Sequence, residues 1–159
     1  TIGETFGMSQ RGGSVASHLR FTQRAYGPLI PEATADLVIG LEPLEGLRYA
    51  TTYLKPGGVV VTSSHRVLPS EGDYPELSKI YEFSKKVAAK LYSLDAGKLA
   101  REAGDVLSSN IVMIGAAFGA DAIPVKEEQL KNAIRERLPK SVDMNFRAFD
   151  LGRRTVRLE

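Results

Sequence analysis

The stretch DLVIGL (Asp36–Leu41), followed by Glu42-Pro43 and, after Lys55-Pro56-Gly57-Gly58, by Val59-Val60-Val61-Thr62, decides the fold of this chain. Both apolar runs are short and continuous rather than alternating, as expected for strands covered on two faces. Pro43 opens a helix carrying Leu44, Leu47 and Leu54, because proline is tolerated in a first turn where its missing N–H is no loss. The Pro-Gly-Gly run reads as the turn into the next strand. Strand, helix, turn, strand is the unit of a parallel sheet.

Working outward from this unit, Ser14 to Phe21 alternates enough to be a strand, with Val15, Ser17 and Leu19 on one side. Downstream, Asp73 and Pro75 mark a helix start, and Leu77, Ile80, Tyr81, Ser84, Val87, Ala88 and Leu91 follow at helical spacing. Leu91 to Leu94 reads as another buried strand. A short helix with Leu99 and Ala103 inward then stops at Gly104. Ser108 or Ser109 can cap a helix running to Gly119 that is apolar nearly all round and is therefore predicted to be buried. Pro124 precedes a charged helix with Leu130, Ala133, Ile134 and Leu138 on one face. A last helix carries Val142, Phe146, Phe149 and Val156. The prediction is a single domain over residues 1–159, three-layer and Rossmann-like, with a mostly parallel sheet and helices on both faces. With so few strands visible, the N-terminal strand of such a sheet is expected to be lacking. The exposed edge this leaves predicts self-association of the chain.

Composition narrows the function. The 159 residues are 43% apolar and 25% charged with a net charge of +2, the balance of a soluble domain with no bias toward nucleic acid. Arg147, Arg153, Arg154 and Arg157 gather near the C-terminus and read as the solvated face of a last helix. No cysteine is present, so the chain supplies no thiolate to zinc or to an iron–sulfur cluster and forms no disulfide, as suits a cytoplasmic protein. The longest apolar run, Ile111 to Ala120, is too short to span a membrane.

No nucleophile elbow, phosphate-binding GxxxxGK loop or HExxH motif occurs. His18 and His65, 47 positions apart, read as structural or surface histidines rather than ligands. Glu42 and Glu45 sit where a strand gives way to a helix, where the helix dipole favours carboxylates. Ser63 and Ser64 end a strand, where ligands approach open α/β sheets; Glu42 and Ser63 are thus secondary site candidates. The richest cluster is Ser9, Gln10, Arg11, Gly12, Gly13 and Ser14. Its flexible backbone, donors and fixed cation suit a phosphate or carboxylate, and equally suit a tight turn against a neighbouring subunit.

GMSQRGGSVASHLR (7–20) and PLIPEATADLVIGLEPLEGLRYATTYLKPGGVVV (28–61) resemble the gamma-type domain of 2-oxoacid:ferredoxin oxidoreductases, and most of all the small-subunit type of the indolepyruvate enzymes. NIVMIGAAFGADAIPVKEEQLKNAIRERLPK (110–140) is similar too, so the resemblance covers nearly the whole chain. The SQRGG, EPLEGLRY and LKPGG elements carry it together. The family usually opens with a strand and a GxGGQG-type turn, and about thirty-five residues of that pattern are expected ahead of Thr1, by the length of a βαβ unit. The resemblance implies oxidative decarboxylation of a 2-oxoacid, an arylpyruvate such as indolepyruvate, to an acyl-coenzyme A with reduction of ferredoxin. It places thiamine diphosphate, magnesium and the iron–sulfur clusters on a large partner subunit, with coenzyme A as co-substrate and this chain inactive alone. The Ser9–Ser14 loop would then face the substrate, coenzyme A or the partner. A stand-alone nucleotide- or acyl-phosphate-binding module and a purely structural subunit are the competing readings, and neither nucleic acid nor membrane is an expected partner.

Overall fold

The computed structural model describes residues 2–4, 14–21, 27, 29–68 and 72–157. Three parallel strands form its centre: β3 (Ala35–Gly40), β4 (Leu54–Ser63) and β5 (Lys90–Leu94), in that spatial order. Helix α1 (Pro43–Tyr53) links β3 to β4, and α2 (Leu77–Val87) links β4 to β5. The Lys55–Gly58 turn survives inside β4: Ala35 pairs with Leu54 and Leu37 already pairs with Val59, so the four residues between bulge out. Gly57 takes a positive φ of 84° there, a conformation that glycine adopts without strain.

Alternation along β4 distributes the two cores. Val60 faces α1 and α2 with Ala50, Leu54 and Ala88, while Val61 faces the other way, toward α3 (Ala96–Ala103), α4 (Ser109–Gly119) and α6 (Val142–Arg157). The central strand β4 is therefore covered on both faces, whereas β3, expected to be buried, is only partly so: Ile39 and the following Leu41 are exposed. The larger core lies on the α4–α6 side. There Val112, Met113, Ala116, Ala117, Ala148 and Phe149 lose all contact with solvent.

The meeting of α4 and α6 is set by glycine. A Cβ added at Gly152 would overlap the Val112 carbonyl oxygen, and one at Gly115 would overlap that of Phe149. At Gly119 it would stand 2.5 Å from the Arg153 carbonyl oxygen. Backbone rests on backbone at three successive places, closer than larger side chains permit. The helix predicted to be buried from its all-round apolarity is buried for this reason as well.

Helix α5 (Glu127–Arg137) sets Ile134 into the larger core, with Leu130 and Leu138 packed beside it, and an ion network also ties it to α6. Glu127 receives Lys131 at 2.9 Å and Arg153 at 2.6 Å, and both cations also approach Asp150 at 3.4 Å. The hydrogen bond to Glu127 is the main cause of a raised Lys131 pKa.

Several expectations need correction. The Ser14–Phe21 strand is shorter, β2 (Ser17–Leu19), and pairs antiparallel with β1 (Ile2–Glu4), outside the parallel sheet. Its apolar side, with Val15 and Leu19, is exposed, and His18 is the buried residue. Ala133 is exposed, and Ile134 alone in α5 is buried. Ser108 stands at the start of α4 without capping it; its hydroxyl donates to the Asp105 carbonyl oxygen instead. The arginines near the C-terminus are not simply a solvated face. Arg153 joins the α5–α6 ion network, and Arg147 donates to the Ala103 carbonyl oxygen at 3.0 and 3.2 Å, closing the end of α3.

Candidate functional site

The C-terminal end of β3 and the start of α1 approach so closely that only glycines fit. A Cβ at Gly40 would lie 2.8 Å from the Gly46 Cα and 3.0 Å from the Thr62 hydroxyl oxygen. Glu42, between them, is the N-cap of α1: its carboxylate accepts from the Glu45 N–H at 2.8 Å. The Tyr74 hydroxyl donates to the other carboxylate oxygen. Burial, and then this bond, push the Tyr74 pKa upward, so the phenol stays protonated and keeps donating. The structural reading of Glu42 as a helix-dipole partner is thus the one the geometry supports, and its carboxylate also ties Tyr74 to α1.

Two hollows open on either side of Leu41. The first, about 650 Å³, runs along β3 beneath residues 14–18. Tyr49 and Tyr53 of α1 stack at 6.0 Å along its wall, and Ser14 donates to the Tyr49 hydroxyl at 3.4 Å. His18 sits edge-on to Tyr53 at 5.0 Å and accepts the Ile30 N–H on Nδ1 at 3.2 Å. It is a structural histidine, as its sequence setting suggested. Ser14 and Glu42, far apart in sequence, both line this hollow. The rest of the glycine loop, Ser9, Gln10, Arg11, Gly12 and Gly13, lies outside the described residues.

The second hollow, about 510 Å³, lies at the C-terminal ends of β4 and β5. Ser63 lines it but is buried, and its Oγ accepts the His65 N–H at 3.1 Å. That bond turns the chain at the strand end, so Ser63 shapes the wall. His65 itself is exposed. Arg66 and Arg101 also line the hollow. Sequence reasoning passed over both, because neither belongs to a motif; the only available signal was that Arg66 closely follows a buried strand and Arg101 lies one helical turn beyond Gly97. Among the described residues no group of three or more histidines and carboxylates is placed to hold a metal, and no helix is long and apolar enough to cross a membrane.

The family model for pyruvate ferredoxin/flavodoxin oxidoreductase matches residues 1–155. The chain belongs to that family. It is 42% identical over 160 residues to indolepyruvate oxidoreductase subunit IorB of Thermococcus kodakarensis, covering 95% of this chain and 78% of that protein. The subunit of the same name from Archaeoglobus fulgidus is 39% identical, with 94% and 76% covered. Pyruvate:ferredoxin oxidoreductase of Moorella thermoacetica is 32% identical over 148 residues, which make up 87% of this chain but 12% of that one. In fold, this member of the family superposes with a TM-score of 0.66 on the gamma subunit of a keto/oxoacid ferredoxin oxidoreductase from Geobacter sulfurreducens, at 21% identity, covering 100% of this chain and 80% of the other. The SQRGG, EPLEGLRY and LKPGG resemblance thus pointed to the right family.

Proposed function

We propose that this chain is the small, cofactor-free subunit of a 2-oxoacid:ferredoxin oxidoreductase of the indolepyruvate type, working in the cytoplasm with a large partner subunit. The observation that carries this reading is the similarity, at 39–42% identity over nearly the whole chain, to proteins named as subunits of indolepyruvate oxidoreductase. Chain chemistry agrees: without cysteine it offers no thiolates, so clusters feeding ferredoxin would take theirs from another chain. Thiamine diphosphate with magnesium, on that partner, would supply the carbanion chemistry of decarboxylation. The small subunit's part is to shape the site for the 2-oxoacid or coenzyme A, with the Ser9–Ser14 loop as the candidate contact. Among the described residues β3 pairs with β4 alone, so its other edge is a place for an added strand.

Association tests the reading directly. Tagged and purified from its native host, the chain is expected to retain a large, thiamine diphosphate-containing subunit through gel filtration. By itself, at high concentration, it is expected to sediment faster than a monomer. Recovery of the chain free of any such subunit would remove the proposal, and a clean monomer would remove the pairing at β3.

A further inference from the structure

His18 is the buried position of β2, with 6% of its surface exposed. The sheet it belongs to, β1 with β2, is separate from β3–β4–β5, so among the described residues no ladder hydrogen bond ties β2 to the parallel sheet. Side chains make the link instead. The Ser14 hydroxyl meets Tyr49, and Arg20 donates to the carbonyl oxygens of Gly27 and Leu29 at 3.0 and 3.3 Å. His18 accepts the Ile30 N–H on Nδ1 at 3.2 Å. Its ring stands at 85° to that of Tyr53, and Tyr53 in turn stacks on Tyr49. The imidazole is thus held by α1 and by the stretch leading into β3.

The charged groups of the surrounding elements are committed elsewhere. On α1, Glu45 pairs with Arg48, while Glu42 accepts from the Glu45 N–H and from Tyr74. On β3, Asp36 pairs with Lys55, and Glu32 ahead of it is exposed. Strand β1 sets Gly3 opposite His18, and Glu4 opposite Ser17. Helix α4 brings only uncharged side chains, Asn110, Met113 and Ile114, to the same hollow. Among the described residues no carboxylate forms a salt bridge with His18.

We propose that His18 is a proton-sensitive clasp, which seats β2 on α1 while its imidazole is neutral and loosens it once the ring is protonated. A ring nitrogen that accepts a hydrogen bond carries no proton, so Nδ1 is bare and Nε2 bears the N–H. Protonation fills Nδ1 and sets one N–H against another. It also brings a positive charge to a buried place with no carboxylate paired to it. Both effects oppose the clasp. The hold is therefore present on the neutral side of the histidine titration and is lost as the pH falls through it. The clasp rests on the ring and its partners and not on the assignment of function.

Ring spectra and amide exchange read the clasp directly. The chain has 2 histidines, and the exposed His65 is an internal reference. NMR of the full chain with isotopically labelled histidine is expected to show His18 as the Nε2–H tautomer at about pH 7.5 and doubly protonated at about pH 5. Over that interval the protection of the Ile30 amide, corrected for the intrinsic pH dependence of exchange, is expected to fall about tenfold, the loss of one hydrogen bond. The fall should follow the titration of His18 and not that of His65. His18→Asn sets a non-titrating carbonyl oxygen near the place of Nδ1, so protection should persist and lose its pH dependence. His18→Phe keeps a ring without an acceptor and should give the low protection at both pH values. Ile30 protection that holds while His18 protonates would overturn the proposal, as would a ring carrying its neutral-state proton on Nδ1 or one still neutral at about pH 5. These readings come from the unaltered chain, so they decide the matter even where neither variant folds.

Discussion

Replacing Gly152 by alanine is expected to destabilise the protein by at least about 3 kcal/mol, the upper end of the cost of overpacking a core. The sign is what makes the experiment decisive. Gly152 lies inside α6, where helix propensity alone would make alanine more stable by about 1 kcal/mol. Packing opposes this, since the new methyl would overlap the Val112 carbonyl oxygen, an atom of the α4 backbone that no rotamer change can move aside. The two helices must separate, which opens the core around Phe149 and Met113. For a chain of this size each kcal/mol moves the melting temperature by about 2–4 °C, so a fall of roughly 6–12 °C is the expected reading from calorimetry. Gly97→Ala is the control. Its Cβ would meet the Arg101 guanidinium and an Asp95 carboxylate oxygen, each at an ordinary 3.6 Å, and the melting temperature should hold or rise slightly. A Gly152→Ala protein as stable as the parent would show that the helices do not meet as described.

The other large effect is functional. Alone, the chain should oxidise no 2-oxoacid and show no iron–sulfur absorbance in the visible, since it has no cysteine to bind a cluster. Adding the large subunit should restore coenzyme A-dependent reduction of a low-potential acceptor by an arylpyruvate. Turnover by the isolated chain would end the subunit reading. In the restored enzyme Arg11→Ala should lower kcat/KM for coenzyme A or the 2-oxoacid about ten- to a hundredfold, corresponding to one charge-assisted hydrogen bond of about 1.5–3 kcal/mol. If the loop serves only to join the subunits, the same change should weaken assembly in sedimentation and leave the Michaelis constants of the intact complex unaltered. A change in neither would dismiss the loop as a site.

How much of this could be read from residues alone depended on whether the controlling force was local. VVVT is a strand buried on both faces, and that is visible in its letters, whereas DLVIGL has the same letters and forms its strand with Ile39 and Leu41 exposed, because what covers a face lies elsewhere in the chain. Pro43 and Glu42 announce the start of α1 through backbone chemistry confined to one turn. The apolar α4 declared its own burial. What covers it did not show, because the match of Gly115 and Gly119 to an α6 more than thirty residues away is a property of two surfaces. The face of β2 was misread for a related reason. Val15 and Leu19 look inward by hydrophobicity, yet the position between them packs on Tyr53, and Tyr53 is a neighbour only in space. Ser63 and Glu42, read as secondary site candidates at strand ends, each line a hollow, but the turn that the Ser63 hydroxyl holds by accepting the His65 N–H is not visible in the letters. Arg66 and Arg101 line one hollow only once two strand ends are laid side by side.

The glycine-lined seat of α4 on α6 also bears on how the chain is made. Helix α4 ends at Gly119, and the helix that covers it is complete only at Arg157, so 38 residues from Ala120 to Arg157 must follow before the seat exists. At about 5–20 residues per second, a growing chain carries an uncovered, all-apolar helix for roughly two to eight seconds. A ribosome that stalls within this stretch leaves a nascent product whose sheet can form but whose largest core cannot close, and that product is a natural client for chaperones that bind apolar helices.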